Sequence, residues 1–100
     1  MTLQLDIHHN THAQRFETRV EGWLCRCDYR MVDGVLQLTH TEVAVAVEGR
    51  GIAAQLVKAA LDYAEAQGFK VRPRCSYVAA YLRRHPERSG LLAQATSSVG

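Results

Sequence analysis

At Gly49 the spacing of apolar side chains changes period, and that change limits the available folds more than any single motif does. Before it the chain alternates. Leu3, Leu5 and Ile7 are interleaved with Thr2, Gln4 and Asp6, and RFETRVEG continues through Phe16, Thr18 and Val20. The runs WLCRCDYRMV and VLQLTHTEV then flank Asp33-Gly34. Period two marks half-buried strands, and Asp-Gly between two such runs marks a tight hairpin, because a type I′ turn needs positive φ at both central residues. The first half therefore predicts three consecutive strands in an antiparallel meander with a fourth, N-terminal strand beside it. After Gly49 the apolar residues Ile52, Ala53, Leu56, Val57, Ala60, Leu61 and Ala64 recur three and four apart, with Gln55, Lys58, Asp62 and Glu65 on the opposite side. That spacing predicts an amphipathic helix of about four to five turns with one face on a sheet.

Gly68 is placed to end this helix, with Phe69 folding back onto the core. KVRP reads as a short strand stopped by Pro73. Ser76 to His85 reads as a second helix, with Tyr77, Val78, Tyr81 and Leu82 on one side and Pro86 ending it. Strands followed by helix, strand and helix give an α+β chain: a mostly antiparallel, twisted sheet of about five strands with both helices packed against it. No repeat or linker divides the sequence, so one domain is expected over residues 1–92, with a disordered Ser-rich tail over 93–100.

Composition removes several functional classes. The chain has 100 residues, of which 47% are hydrophobic and 22% charged, the balance of a folded globular domain. Twelve basic against ten acidic side chains leave a formal charge of +2, too little to form a nucleic-acid surface by charge alone. No apolar run approaches a membrane span, and MTLQLDIHHN lacks the plan of a signal peptide, so a cytoplasmic location with no membrane partner is expected. Three cysteines, an odd number, argue against a disulfide scaffold. Cys25 and Cys27 are expected on a buried strand face, and His8, His9 and His12 in a solvated loop; neither group has the spacing of a zinc site, and no metal is expected.

The junction AVAVEGRGIAA carries the chemistry. Two glycines flank an arginine immediately before a helix start, where unpaired N–H groups and the positive end of the helix dipole suit an anion such as a pyrophosphate. Alternatively, Gly49 and Gly51 simply let the chain turn and the helix lie close to the sheet. The segment is not a P-loop, since no Gly-Lys-Ser/Thr follows, and the antiparallel strands before it exclude a dinucleotide βαβ unit.

A meander, a Gly-rich anion turn and a long amphipathic helix together resemble the GCN5-related N-acetyltransferase superfamily, in which a turn of the form Arg/Gln-x-x-Gly-x-Gly/Ala holds the pyrophosphate of acetyl-coenzyme A. Here Glu48-Gly49-Arg50-Gly51-Ile52-Ala53 fits that spacing. Together with His40-Thr41-Glu42-Val43, Cys75-Ser76-Tyr77-Val78, Tyr81 and His85-Pro86-Glu87, the chain resembles the small single-domain branch, the YjdJ-type or N-acetyltransferase-domain-containing-protein-1-like group. The resemblance covers roughly Val35 to Glu87. It implies a minimal GNAT-like fold and an acetyl-coenzyme A-dependent N-acetyltransferase.

By that resemblance Val43 and Val45 lie on a strand edge along the pantetheine arm. Gly49, Gly51, Ile52 and Ala53 hold the phosphates, and Arg50 is an added cation for them. Cys75 stands near the thioester, either as a covalent acetyl acceptor or as a polar contact in direct transfer, or else as a buried structural cysteine. His40 and Glu42 share a strand face as candidate bases for the amine proton; otherwise His40 is a core residue and Glu42 a salt-bridged edge residue. Tyr81 resembles the residue near the departing sulfur, with Tyr77 on the same helix face. Glu48 departs from the family pattern and sets a negative charge beside an anion site.

Longer superfamily members insert two helices after the first strand, where this chain has only HHNTHAQ. The acceptor side is therefore expected to be open, suited to a protein side chain, a polyamine or another flexible amine, with direct transfer favoured. Two alternatives are a non-catalytic coenzyme A or acyl-CoA binding module and an interaction domain. A monomer or weak homodimer is expected.

Overall fold

A computed structural model of the chain describes residues 4–93; the expected tail beyond Ala93 lies outside the described residues. Five strands form one sheet in sequence order: β1 (His8–Asn10), β2 (Arg15–Val20), β3 (Trp23–Val32), β4 (Val35–Glu42) and β5 (Lys70–Pro73). The first three pairings are antiparallel and β4–β5 is parallel. A parallel pair needs a crossover, and α1 (Ile52–Gln67) supplies it. The second helix, α2 (Ser76–Arg84), follows β5 and leads into a 3-10 turn over Pro86–Leu91.

The turn chemistry behaves as the sequence requires. Asp33 and Gly34 have φ of 50° and 77°, and the pair Glu21-Gly22 repeats that arrangement at 52° and 83°, so type I′ geometry joins β2 to β3 as well as β3 to β4. Helix α1 stops at Gly68, whose φ of 77° is costly for a residue with a side chain. There the Gly68 N–H bonds the Glu65 carbonyl and the Phe69 N–H bonds Ala64 at 2.9 Å, the paired closure of a Schellman motif.

Both helices lie on one face of the sheet. Leu56, Val57, Ala60, Leu61 and Ala64 of α1 are fully buried with Cys25, Cys27, Leu36, Leu38 and Val71 of the sheet and Val78 of α2. Each large side chain so buried contributes about 1.5–3 kcal/mol, which explains why a helix without side-chain caps holds its place. The buried strand positions of Cys25 and Cys27 are those expected of free cysteine.

Three local expectations are corrected. Residues 4–7 are not a ladder strand: Leu5 and Ile7 pack on the core as their alternation implies, but the N-terminal strand is His8–Asn10. The histidine cluster is accordingly not a solvated loop. His9 is half-buried, stacks on Phe16 at 4.1 Å and shares a 2.7 Å hydrogen bond with the Tyr29 hydroxyl, while His12 is exposed in the turn. Finally, β4 ends at Glu42, and Val45–Val47 forms a 3-10 turn instead of extending the strand.

Candidate functional site

The site begins where two neighbouring strands part. β5 pairs with β4 only from Val35–Lys70 to Leu38–Pro73, and the Arg74 N–H makes the last bond, 2.9 Å to the Leu38 carbonyl. Beyond Leu38, β4 runs on without β5 beside it. At the same point its register against β3 slips: Tyr29 faces Leu38 and Asp28 faces His40, leaving Thr39 as an extra residue. Such a bulge exchanges the two faces of the strand. Leu36 and Leu38 point into the core before it; after it, Thr41 turns inward while His40 and Glu42 are exposed on the outer face.

The inward side of this fork opens into a cleft of about 510 Å³, lined by Thr41 and Val43, by Glu48, Gly49 and Gly51 through Ala54, and by Tyr77. Two helix N-termini flank it. Gly51 is the N-cap of α1 at φ 77°, and no side chain caps the helix. Gly49, at φ 82°, makes the preceding bend, and a Cβ added at either glycine would meet nothing within 4 Å. The corner is therefore not filled by the protein's own atoms, and the first N–H groups of α1 border the cleft. That arrangement fits a phosphate or pyrophosphate.

Cys75 is the N-cap of α2, extended at φ −117° and ψ 137°. Its thiol lies 3.7 Å from the Thr41 hydroxyl, which in turn lies 3.7 Å from the Cys27 sulfur. Burial pushes the Cys75 thiol up, but hydrogen bonding from the Val78 backbone, the Thr41 side chain and the Tyr77 backbone outweighs it, so the thiol sits below its ordinary value. Cys27 behaves oppositely: burial, only partly offset by Thr41, pushes it up to about 12. Of the three cysteines, Cys75 alone is not fully buried.

Among the positions singled out by sequence, Val43, Gly49, Gly51, Ile52 and Ala53 line the cleft, and Cys75 adjoins it through Thr41. Val45 does not lie on a strand edge; it is 82% exposed in the 3-10 turn. Arg50 is turned to Glu21 in a 2.7 Å ion pair and is not part of the lining. Glu48 does line the cleft, so its charge bears on the site. Tyr81, 8% exposed, is buried in the core and stacked on His85 at 4.1 Å, and Tyr77, one turn earlier, takes the place at the cleft. His40 and Glu42 are on the outer face, joined by a 3.1 Å hydrogen bond. That bond and the nearby Arg26 hold the Glu42 carboxyl below its usual range.

Sequence reasoning missed Thr41. Counting by twos from Leu36 and Leu38 assigns His40 and Glu42 to the inner face and Thr41 to the outer one. The bulge reverses both assignments, and a threonine at its centre gives no glycine to announce it.

This geometry agrees with known proteins. The family model described as GCN5-related N-acetyl-transferase matches residues 15–91. Protein NATD1 of Gallus gallus is 33% identical over 89 residues, spanning 82% of this chain and 77% of that protein. Protein NATD1 of Mus musculus is 33% identical over 87 residues, with 80% and 76% covered. The NMR structure of a GCN5-like protein from Staphylococcus aureus superposes with a TM-score of 0.72 at 22% identity, covering 91% of this chain and 90% of that one, and so shares the fold. From strand meander to second helix, the chain belongs to the GCN5-related N-acetyltransferase family.

Proposed function

We propose that the protein transfers the acetyl group of acetyl-coenzyme A to an amine that arrives at the open fork beyond Leu38. The observation that supports this most is the glycine-capped N-terminus of α1, which opens onto the same cleft as Thr41 and Tyr77 in a chain of acetyltransferase family. Acetyl-coenzyme A, when bound, supplies the acetyl group as an activated thioester.

The rest falls to the chain's own groups. Amides of Gly49 and Gly51 through Ala54 hold the diphosphate. The β4 backbone at Thr41 and Val43, freed of β5, offers hydrogen bonds to the pantetheine arm. His40 uses Nε2 on Glu42, which leaves Nδ1 to accept the amine proton from the outer face. The Cys75 thiol, made more acidic by α2 and Thr41, gives its proton to the sulfur that departs when the thioester breaks, without itself being acylated. Val45, Arg50 and Tyr81 take no part in this account.

A second reading is a coenzyme A or acyl-CoA binding module without turnover; Glu48 in the lining and Arg50 tied to Glu21, both of which weaken the grip on a diphosphate, favour instead a third, an interaction domain without the cofactor. Native mass spectrometry is expected to show the mass increment of coenzyme A, and thiol release is expected with at least one amine. Tight binding without thiol release across an amine panel would favour the module. Full turnover by Cys75→Ala would remove Cys75 from the mechanism.

A further inference from the structure

The helices cover one face of the sheet; the other is open, and its charges are unevenly matched. Its carboxylates are paired on the β2–β3 side: Glu17 with Arg15, and Asp28 and Glu42 with Arg26. The next row, behind the fork where β4 and β5 are still paired, is Arg30, Gln37 and Arg72, directly opposite one another on β3, β4 and β5, and it holds no carboxylate. Among the described residues, neither Arg30 nor Arg72 has an ion pair.

Beside this row lies a shallow cavity of about 290 Å³ whose charged lining is Arg15, Arg26, Arg30 and Asp28. Glu17, Asp28 and Glu42 take up Arg15 and Arg26, which leaves Arg30 as the lining guanidinium without an ion pair. Thr39, the bulged residue, forms its β4 wall. The next residue along β4 is His40. Diagonal neighbours across a ladder stand about 7–8 Å apart, within the reach of an arginine side chain. A small molecule can therefore set one end at His40 and the other against Arg30.

We infer that this cavity anchors a carboxylate, and that the acceptor is a small amine carrying its own carboxylate, as an amino acid does. The identification of the occupant as acceptor rests on the acetyl-transfer reading; the carboxylate site does not. Guanidinium groups pair with carboxylates through two parallel hydrogen bonds, and Arg30 is left with donors to give. A polyamine offers no carboxylate to Arg30, and the carboxylates nearby, Glu17, Asp28 and Glu42, are already paired with Arg15 and Arg26.

The test is amide NMR on the full chain, with glutamate, putrescine and coenzyme A titrated separately. Glutamate is expected to shift the Ala13, Arg30 and Thr39 resonances, and putrescine to leave them in place. Arg30→Ala should abolish the glutamate shifts, Arg30→Lys should restore part of them, and Arg19→Ala, elsewhere on this face, should keep them all. Silence toward glutamate, or an equal response to putrescine, would overturn the inference even if coenzyme A moves Gly49 through Ala54. Glutamate shifts without any coenzyme A response would instead support the carboxylate site and sink the transfer reading. In turnover, the kcat/KM ratio of glutamate to its diamide should fall about tenfold in Arg30→Ala, a loss of roughly one charge-assisted hydrogen bond.

Discussion

Two helix N-termini open on the same cleft, and they are finished in opposite ways. At α1 the cap is Gly51, a residue with no side chain, so the first amides face outward to whatever anion arrives. At α2 the cap is Cys75, whose sulfur takes the same backbone polarity for itself and is drawn toward its thiolate. On the proposed function one backbone device serves two purposes, holding a charge from solution in the first case and making a thiol of the chain more acidic in the second. The identity of a single cap residue decides which.

The comparison breaks most visibly at Cys75. Cys75→Ser keeps the shape and is a stronger N-cap, so stability should rise by about 0.5–1 kcal/mol in urea unfolding. Loss of the thiol should at the same time cost on the order of 100-fold in acetyl turnover. A serine variant with wild-type kinetics would reduce the second terminus to a structural cap.

Gly51→Val attacks the other terminus. A branched residue at φ 77° is strained by about 1–3 kcal/mol, and its side chain stands where the diphosphate should sit. Coenzyme A affinity by calorimetry should drop about 10- to 100-fold, the worth of one or two hydrogen bonds to a charged group. Retained affinity would mean the diphosphate binds elsewhere.

Glu48→Arg should sharpen the contrast by making α1 more attractive to anions. Reversing the sign of a charge near a helix start is worth about 0.3–1 kcal/mol, hence a gain of about two- to fivefold in coenzyme A affinity. No change on calorimetry would show that the side chain reaches past the diphosphate.

The last effect is a slope. Cys75 sits below its ordinary value of 9.0, so between its folded value and 9.0 the unfolded chain holds more proton there and stability rises with pH. Above 9.0 Cys27 reverses the trend, because the folded chain keeps up to about 12 a proton that the unfolded chain has lost. The gap between the urea midpoints of Cys75→Ser and wild type should therefore change as pH rises toward 9, in wild type's favour, and the two should fall in parallel above it. Parallel curves throughout would place the Cys75 thiol at its ordinary value.

What the sequence disclosed follows from where local chemistry is decisive. Asp33-Gly34 and the onset of three-and-four spacing at Ile52 fixed the meander, the glycine turn and the helix, because positive φ and amphipathic period leave few alternatives. The outer half of the site was less legible. A bulge at Thr39 depends on how β3 and β4 settle against each other, and it decides where His40, Thr41 and Glu42 face. The surroundings of Val45 and Arg50 were hidden for a similar reason: Val45 lies in a 3-10 turn instead of on a strand edge, and Arg50 pairs with Glu21, 29 residues away.

The chain also attends to the far margin of its sheet. Leu92 bridges Val71 and the Ala93 N–H bonds the Val71 carbonyl at 2.9 Å, while Arg88 ties the approach to Asp62 and to Glu65 of α1. The outer rim of β5 is thereby occupied by the molecule's own backbone, and the opposite rim is a three-residue strand of polar side chains. Among the described residues, neither of these two borders presents a long template on which a second copy could add strand by strand.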